Sequence, residues 1–137
     1  MRLHDDDEGS VLLLTLGYAV LALVLVLVCA NATSMYLEQK RLDALADAAA
    51  LAAADGFTLT VADGAARADL TADRVRAQAR EIVDATGGGA VLVDASAPDG
   101  VSARVTVSST WHPPVVTLFV PDGFTLSATA TSRNALR

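Results

Sequence analysis

Residues 11–30, VLLLTLGYAVLALVLVLVCA, decide the class of this protein, and they lie in a longer stretch, Gly9 to Leu37, that contains no Asp, Glu, Lys or Arg. At 1.5 Å per residue, a helix of this length spans roughly 30 Å, which matches the hydrocarbon core of a bilayer. The stretch therefore predicts a transmembrane helix with its span at about residues 11–32. The rest of the chain is then a domain held at one membrane surface.

A cleaved secretory signal is the rival interpretation, because Ala30-Asn31-Ala32 has the small-x-small form of a signal peptidase site. Signal peptides have an apolar region of about 7 to 15 residues that follows positive charge. Here the apolar run is longer, and the leader MRLHDDDE holds one Arg against four acidic residues. We therefore predict a retained helix, with cleavage after Ala32 as the open alternative.

Orientation in the membrane is not specified by the flanking charges. Arg2 lies on one side of the span, and Lys40 and Arg41 lie on the other. With the terminal amine counted beside Arg2, the positive-inside rule gives a tie.

Composition and charge exclude several classes of function. Residues 33–137 hold nine Lys and Arg against twelve Asp and Glu, a net charge of about −3, so nucleic acid is not an expected partner. The single cysteine, Cys29, lies in the predicted span, far from His4 and His112 in the sequence. No set of residues has the spacing of a catalytic triad, and the acidic cluster Asp5-Asp6-Asp7-Glu8 is interpreted as a solvated charge run rather than a cation site. The sequence therefore predicts no enzyme activity, no cofactor, no metal and no small-molecule substrate.

The predicted helix continues past the membrane, because residues 36–54 contain no Pro or Gly and are rich in Ala and Leu. One face of this part is apolar, and it consists of Leu42, Leu45, Ala46, Ala49, Ala52 and Ala53. A single helix over residues 10–54 is expected, with Gly56 in a left-handed position just after its end. Residues 1–9 then form a short polar leader.

The remaining residues, 55–137, predict a small α+β domain. Residues 57–69 are compatible with a short strand or an irregular stretch, and a second helix begins after Thr71 and ends at Gly87. Apolar and polar residues then alternate in Val- and Thr-rich segments that are separated by Pro98-Asp99-Gly100 and Pro121-Asp122-Gly123. This pattern predicts an antiparallel sheet of three or four strands, covered on one face by the two helices.

Two groups of residues are candidate contact sites. An apolar run after the second predicted strand is a possible interaction surface, consisting of Trp111, Pro113, Pro114, Val116, Leu118 and Phe119. It could insert into lipid, pack on a partner or fold back under the edge of the sheet. Within the span, Thr15, Gly17 and Tyr18 are candidates for packing against a neighbouring helix.

The order of these parts resembles the TadE/TadG-like proteins of Tad (Flp) pilus assembly. The most specific local match is the basic pair Lys40-Arg41 followed by ADAAALAAA at residues 46–54. The Val- and Thr-rich strand that leads to Pro113-Pro114, and the final strand ending in SATATS, are similar too. The resemblance implies a bacterial single-pass plasma-membrane protein with a cytoplasmic leader and its C-terminal domain outside the cytoplasm.

One departure from the family pattern bears on processing. The resemblance implies, for pilin-like members, cleavage after a glycine with a glutamate at the fifth position of the mature chain. If Gly9 were the cleavage site, that position is Leu14, and no acidic residue follows until Glu38. The chain is therefore similar to the unprocessed TadG-like type, although cleavage after Gly9 stays open.

These features together predict a non-catalytic, membrane-anchored structural or assembly component of a Tad pilus, with cell adhesion as a downstream consequence. Its expected partners are the lipid bilayer and other pilus-assembly or pilin-like proteins. The alternative is a bitopic sensor or adaptor whose outer domain binds a ligand or a partner protein.

Overall fold

The long helix predicted from the apolar stretch runs without interruption. The structure, a computed structural model, describes the backbone of residues 5–133 and the side chains of this range other than residues 5–8, 62 and 65–68. Helix α1 spans Asp5–Asp55 and is therefore about 77 Å long at 1.5 Å per residue. It begins inside the predicted leader and ends at the predicted stop.

Gly56 directly follows α1, but it does not have the left-handed conformation that the sequence predicted, so that prediction is wrong. Its φ is not positive, and its N–H donates to the carbonyl oxygen of Ala53 at 3.3 Å. A Cβ at this position would lie 3.1 Å from Cγ of Gln78 on the second helix, α2, which spans Ala72–Thr86. A side chain at this position would therefore crowd the exposed Gln78 side chain of α2.

The stretch after α1, which the sequence left between strand and loop, is a β-hairpin. Strands β1 (Thr58–Ala62) and β2 (Ala65–Asp69) pair in antiparallel register. The two residues between them, Asp63 and Gly64, have φ angles of 54° and 77°. Positive φ at both central residues is typical of a type I′ turn, which favours Asp-Gly.

The main sheet has three antiparallel strands in the order β3-β4-β5, within the predicted range of three to four. These are β3 (Val91–Ser96), β4 (Ser102–Trp111) and β5 (Phe124–Arg133), and β3 has an irregularity between Leu92 and Asp94. β4 and β5 pair along their full length, from Ser102↔Arg133 to Trp111↔Phe124. The α+β prediction is thus confirmed.

The core lies between one face of the sheet and the two helices. Alternate strand residues point into it, and α1 contributes a surface made mostly of alanine, which lets the helix approach the sheet closely. The buried apolar residues are Leu42, Ala46, Ala49, Ala50, Ala53 and Ala54 of α1, Leu70 before α2, Val75, Ala79 and Val83 of α2, and Ala95, Ala103, Val105, Val107, Trp111, Leu126, Ala128 and Ala130 of the sheet. The opposite face is polar, where Thr106 and Thr129 share a cross-strand hydrogen bond of 2.9 Å.

The turn that enters β4 is organised by Asp99. Its Oδ1 accepts hydrogen bonds from the N–H groups of Val101 at 3.1 Å and Ser102 at 2.6 Å, and its Oδ2 accepts one from Ser102 Oγ at 2.9 Å. Arg133 at the end of β5 lies 3.6 Å from the same carboxylate. The Ser102 hydroxyl, followed by the two N–H groups and Arg133, lowers the pKa of Asp99 below its ordinary value of 3.8, against a smaller opposing effect of desolvation.

Because the folded-state pKa of Asp99 is depressed, its contribution to stability is present above the ordinary pKa of 3.8 and is lost as the pH falls through the folded value. We expect Asp99→Asn to lower the denaturation midpoint at neutral pH. As the pH is then lowered through the folded-state pKa of Asp99, the variant should lose less stability than wild type. Denaturant titrations at several pH values, followed by Trp111 emission, measure both. Asp122→Asn, in the other Pro-Asp-Gly turn, is the control; an identical pH profile for wild type and Asp99→Asn would contradict the assignment.

Candidate functional site: the span and the polar seam beside it

Almost the whole apolar run of α1 is exposed in the structure. Its large apolar side chains from Val11 to Val26 are 48–73% exposed, and none of the most apolar window is buried. By length and composition, α1 is the one helix within residues 5–133 that could cross a membrane. Transfer of such apolar side chains from water into lipid is strongly favourable in free energy.

The three predicted packing residues in the span have no contact with the domain. Thr15 donates its hydroxyl to the carbonyl oxygen of Val11 at 2.8 Å, so its donor is satisfied within the helix. A Cβ at Gly17 would meet nothing within 4 Å, and Tyr18 is 65% exposed. Their role in packing against another helix stays a prediction.

A row of four polar side chains ties α1 to the domain immediately after the apolar run, and we call this row the polar seam. Asn31 Oδ1 accepts from the N–H of Val115 at 3.4 Å, and Ser34 Oγ accepts from Trp111 Nε1 at 3.2 Å. Glu38 Oε1 accepts from the hydroxyl of Ser109 at 3.3 Å, and Gln39 Nε2 donates to the carbonyl oxygen of Ser127 at 3.1 Å. The seam therefore fixes the ends of β4 and β5 against the helix.

The predicted interaction surface divides into an inward and an outward part. Trp111 is 9% exposed and stacks on Phe124 with the ring centroids 6.2 Å apart, and Pro113 is fully buried. Val116 is half-buried, whereas Pro114 is exposed. Leu118 and Phe119 point outward, with 89% and 81% of their surfaces exposed. Contact with a partner at these outward residues stays a prediction.

The Trp111–Ser34 contact provides a test of the seam. We expect Ser34→Ala to destabilise the domain by about 1 kcal/mol, since it leaves the indole N–H without its acceptor in a largely buried site. Thr33→Ala, at an exposed neighbouring position, is the matched control. Denaturant unfolding in detergent, followed by the emission of the single tryptophan, measures both; equal midpoints for the two variants would mean that the hydrogen bond does not hold the domain to the helix.

Comparison with known proteins identifies the segment that forms the span and the seam. Residues 9–56 match the model of the family described as "Putative Flp pilus-assembly TadE/G-like". This segment, 48 of the 137 residues, is similar to the TadE/G-like family. The match confirms the resemblance over almost the whole of α1, and it does not distinguish the TadG-like subtype. No curated protein and no solved structure matches the chain.

The TadE/G-like segment thus coincides with the apolar run, the polar seam and the alanine-rich surface that builds the core. Within the part of the chain that the structure describes, no group of three His, Cys, Asp or Glu residues is placed to hold a metal ion.

The polar seam was not among the predicted site residues, although the sequence contains a signal for it. Asn31, Ser34 and Glu38 follow one another at helical spacings of three and four, and the next step along the same stripe is Leu42, the first buried residue of the core. Polar residues that continue the buried apolar face of a helix indicate that this part of the helix also contacts the domain against which the apolar face packs. The sequence does not reveal which strand supplies the partner groups, because those contacts join residues 71 to 88 positions apart.

Proposed function

We propose that this protein is a non-catalytic, single-pass membrane component of Tad (Flp) pilus assembly. The observation that carries the proposal is the TadE/G-like match, which covers the exposed apolar run and the helical surface on which the domain is built. α1 acts as an anchor and as a rigid post, since it continues into the core of the domain without a break. The domain is held at the membrane surface by the polar seam.

The anchor is retained in this proposal. Cleavage after Ala32 would remove Asn31, whose side chain accepts a hydrogen bond from Val115 of the domain. Cleavage after Gly9 would leave Leu14 at the position where processed pilin-like relatives are expected to carry a glutamate. Both points favour the unprocessed, TadG-like type.

The C-terminal domain lies outside the cytoplasm in this proposal, an orientation taken from the family resemblance because the charges at the two ends of the span balance. Protease added to intact spheroplasts tests it. The expected result is digestion of the domain without lysis, and protection of the domain until lysis would reverse the orientation.

The pilus-assembly role is tested by deletion of the gene in the native host and electron microscopy of surface filaments. We expect the deletion strain to lose filaments and the full chain to restore them. A chain with two arginines in the span, Leu21→Arg with Leu25→Arg, should not restore them, whereas Leu51→Arg with Leu59→Arg, at exposed positions outside the span, should. Unchanged filament number and length in the deletion strain would contradict the proposal.

A further inference from the structure

The β4–β5 loop, residues 112–123, carries the two most exposed large apolar side chains in the described part of the chain. Leu118 is 89% and Phe119 is 81% exposed, more than any leucine or valine of the span itself. No Asp, Glu, Lys or Arg occurs between Arg104 and Asp122, so the part of β4 that follows Arg104 and the loop as far as Pro121 contain none of these charged residues. A tip of this kind is costly to leave in water.

The polar seam shows at which level of α1 this loop lies. The contacts pair Ser109 with Glu38, Trp111 with Ser34, and Val115 with Asn31. As β4 advances toward the loop, its partners on α1 therefore move back toward the N-terminus. Two residues of a strand cover about 6.6 Å and four residues of a helix cover about 6 Å, so β4 and α1 run side by side in opposite directions over matching distances.

This progression brings the loop to the end of the apolar run. Asn31, which accepts from Val115, directly follows Ala30, the last residue of that run. The Trp111↔Phe124 pair is the last of the β4–β5 ladder, and the loop extends beyond it, on the side of the domain that faces the run. Leu118 and Phe119 are thus presented where the helix enters the bilayer in the proposed function.

Two backbone N–H groups of the tip are hydrogen-bonded within the loop. The N–H groups of Phe119 and Val120 both donate to the carbonyl oxygen of Val116, at 2.9 Å and 3.1 Å. The hydroxyl of Thr117 donates to the carbonyl oxygen of Pro113, and prolines carry no N–H that would need a partner. These bonds lower the cost of transferring the tip into a membrane interface, because fewer of its polar groups depend on water.

We propose that the β4–β5 loop is a second membrane contact, in which Leu118 and Phe119 insert into the lipid interface on the side of the membrane where the domain lies. This inference rests on the proposed function, because it requires α1 to span the bilayer. The occupant is lipid rather than another protein, since the seam holds the tip beside the span and the tip is uncharged and apolar. The domain is then held at two points, α1 and the loop, which fixes how its sheet is oriented over the membrane surface.

A fluorescent label at residue 118 of the full chain tests the loop contact. Leu118→Cys in a Cys29→Ser background is labelled with an environment-sensitive fluorophore and reconstituted into phosphatidylcholine vesicles that contain nitroxide-bearing lipid. Val61→Cys in the same background is the matched control, because Val61 is 77% exposed on the β1–β2 hairpin beyond the far end of α1. Ala30 and Asp55 are separated by about 38 Å of helix, so this label should remain in water.

We expect a blue shift and loss of most of the fluorescence for the label at residue 118, and neither change at residue 61. Equal emission and quenching at the two positions would overturn the loop contact, and so would a blue shift at residue 118 without nitroxide quenching, which indicates burial by protein. A label on Cys29 of the unmodified chain separates the two proposals. If Cys29 is quenched and residue 118 is not, the anchor stands and the loop contact fails; if neither is quenched, both fail.

Discussion

Two arginines in the middle of the span, Leu21→Arg with Leu25→Arg, are expected to release the protein from the membrane fraction. Both leucines are exposed, at 53% and 56%, so the substitutions remove no packing contact inside the protein. Exchanging leucine for arginine at the centre of a membrane helix costs about 3 to 4 kcal/mol per site, so the pair costs roughly 6 to 8 kcal/mol of insertion free energy. The expected result is a protein extracted by alkaline carbonate.

The matched control adds the same charges elsewhere. Leu51→Arg with Leu59→Arg places two arginines at exposed positions of α1 and β1 beyond the polar seam, where water already surrounds them. This variant should remain in the carbonate-resistant pellet. If the span variant also stayed in the pellet, the apolar run of α1 would not be what holds the protein in the membrane.

The second large effect is expected where α1 meets the sheet. Ala49 of α1 is completely buried in the core that α1 forms with α2 and the sheet. Replacing its methyl group by the larger leucine side chain overpacks this core, which typically costs about 1 to 3 kcal/mol of unfolding free energy. Ala49→Leu should therefore unfold at lower denaturant concentration, measured in detergent by Trp111 emission.

The neighbouring alanine provides the control for this substitution. Ala48 is exposed on the same helix, so Ala48→Leu changes helix propensity by a similar small amount without entering the core. Its midpoint should stay close to that of wild type. Equal destabilisation by the two substitutions would mean that the effect arises in the helix itself rather than in the packing of the core.

The elements of this fold that were predictable from sequence are those whose signals are periodic. The apolar run and the alanine-rich stripe specify α1, and the alternation in the last two strands specifies which face of the sheet is buried. The β1–β2 hairpin was undecided because β2, AARAD, lacks the β-branched and aromatic residues that favour strands. Asp63-Gly64 is typical of a hairpin turn, but the weak strand propensity of the residues that follow it kept the hairpin from being predicted.

Contacts between elements were harder to predict from the sequence than the helices and strands themselves. Asp99 was recognisable as a turn residue, but its pairing with Arg133 depends on the register of β4 against β5. The apolar run in the β4–β5 loop was recognisable as well. The sequence does not show which of its side chains face inward. That depends on the hydrogen bond from Trp111 to Ser34 and on the burial of Pro113, and neither has a local sequence pattern.

The most direct test of a retained membrane anchor is the intact mass of the protein extracted from membranes of its native host, from which the mature N-terminus follows. We expect a chain whose N-terminus lies before Gly9, with the whole of the apolar run present. A chain that begins at Ser10 would mean prepilin-type processing despite Leu14, and would favour a role as a filament subunit over a role at the assembly site. A chain that begins at Thr33 would mean that the apolar run is a cleaved signal, and would contradict the anchor altogether.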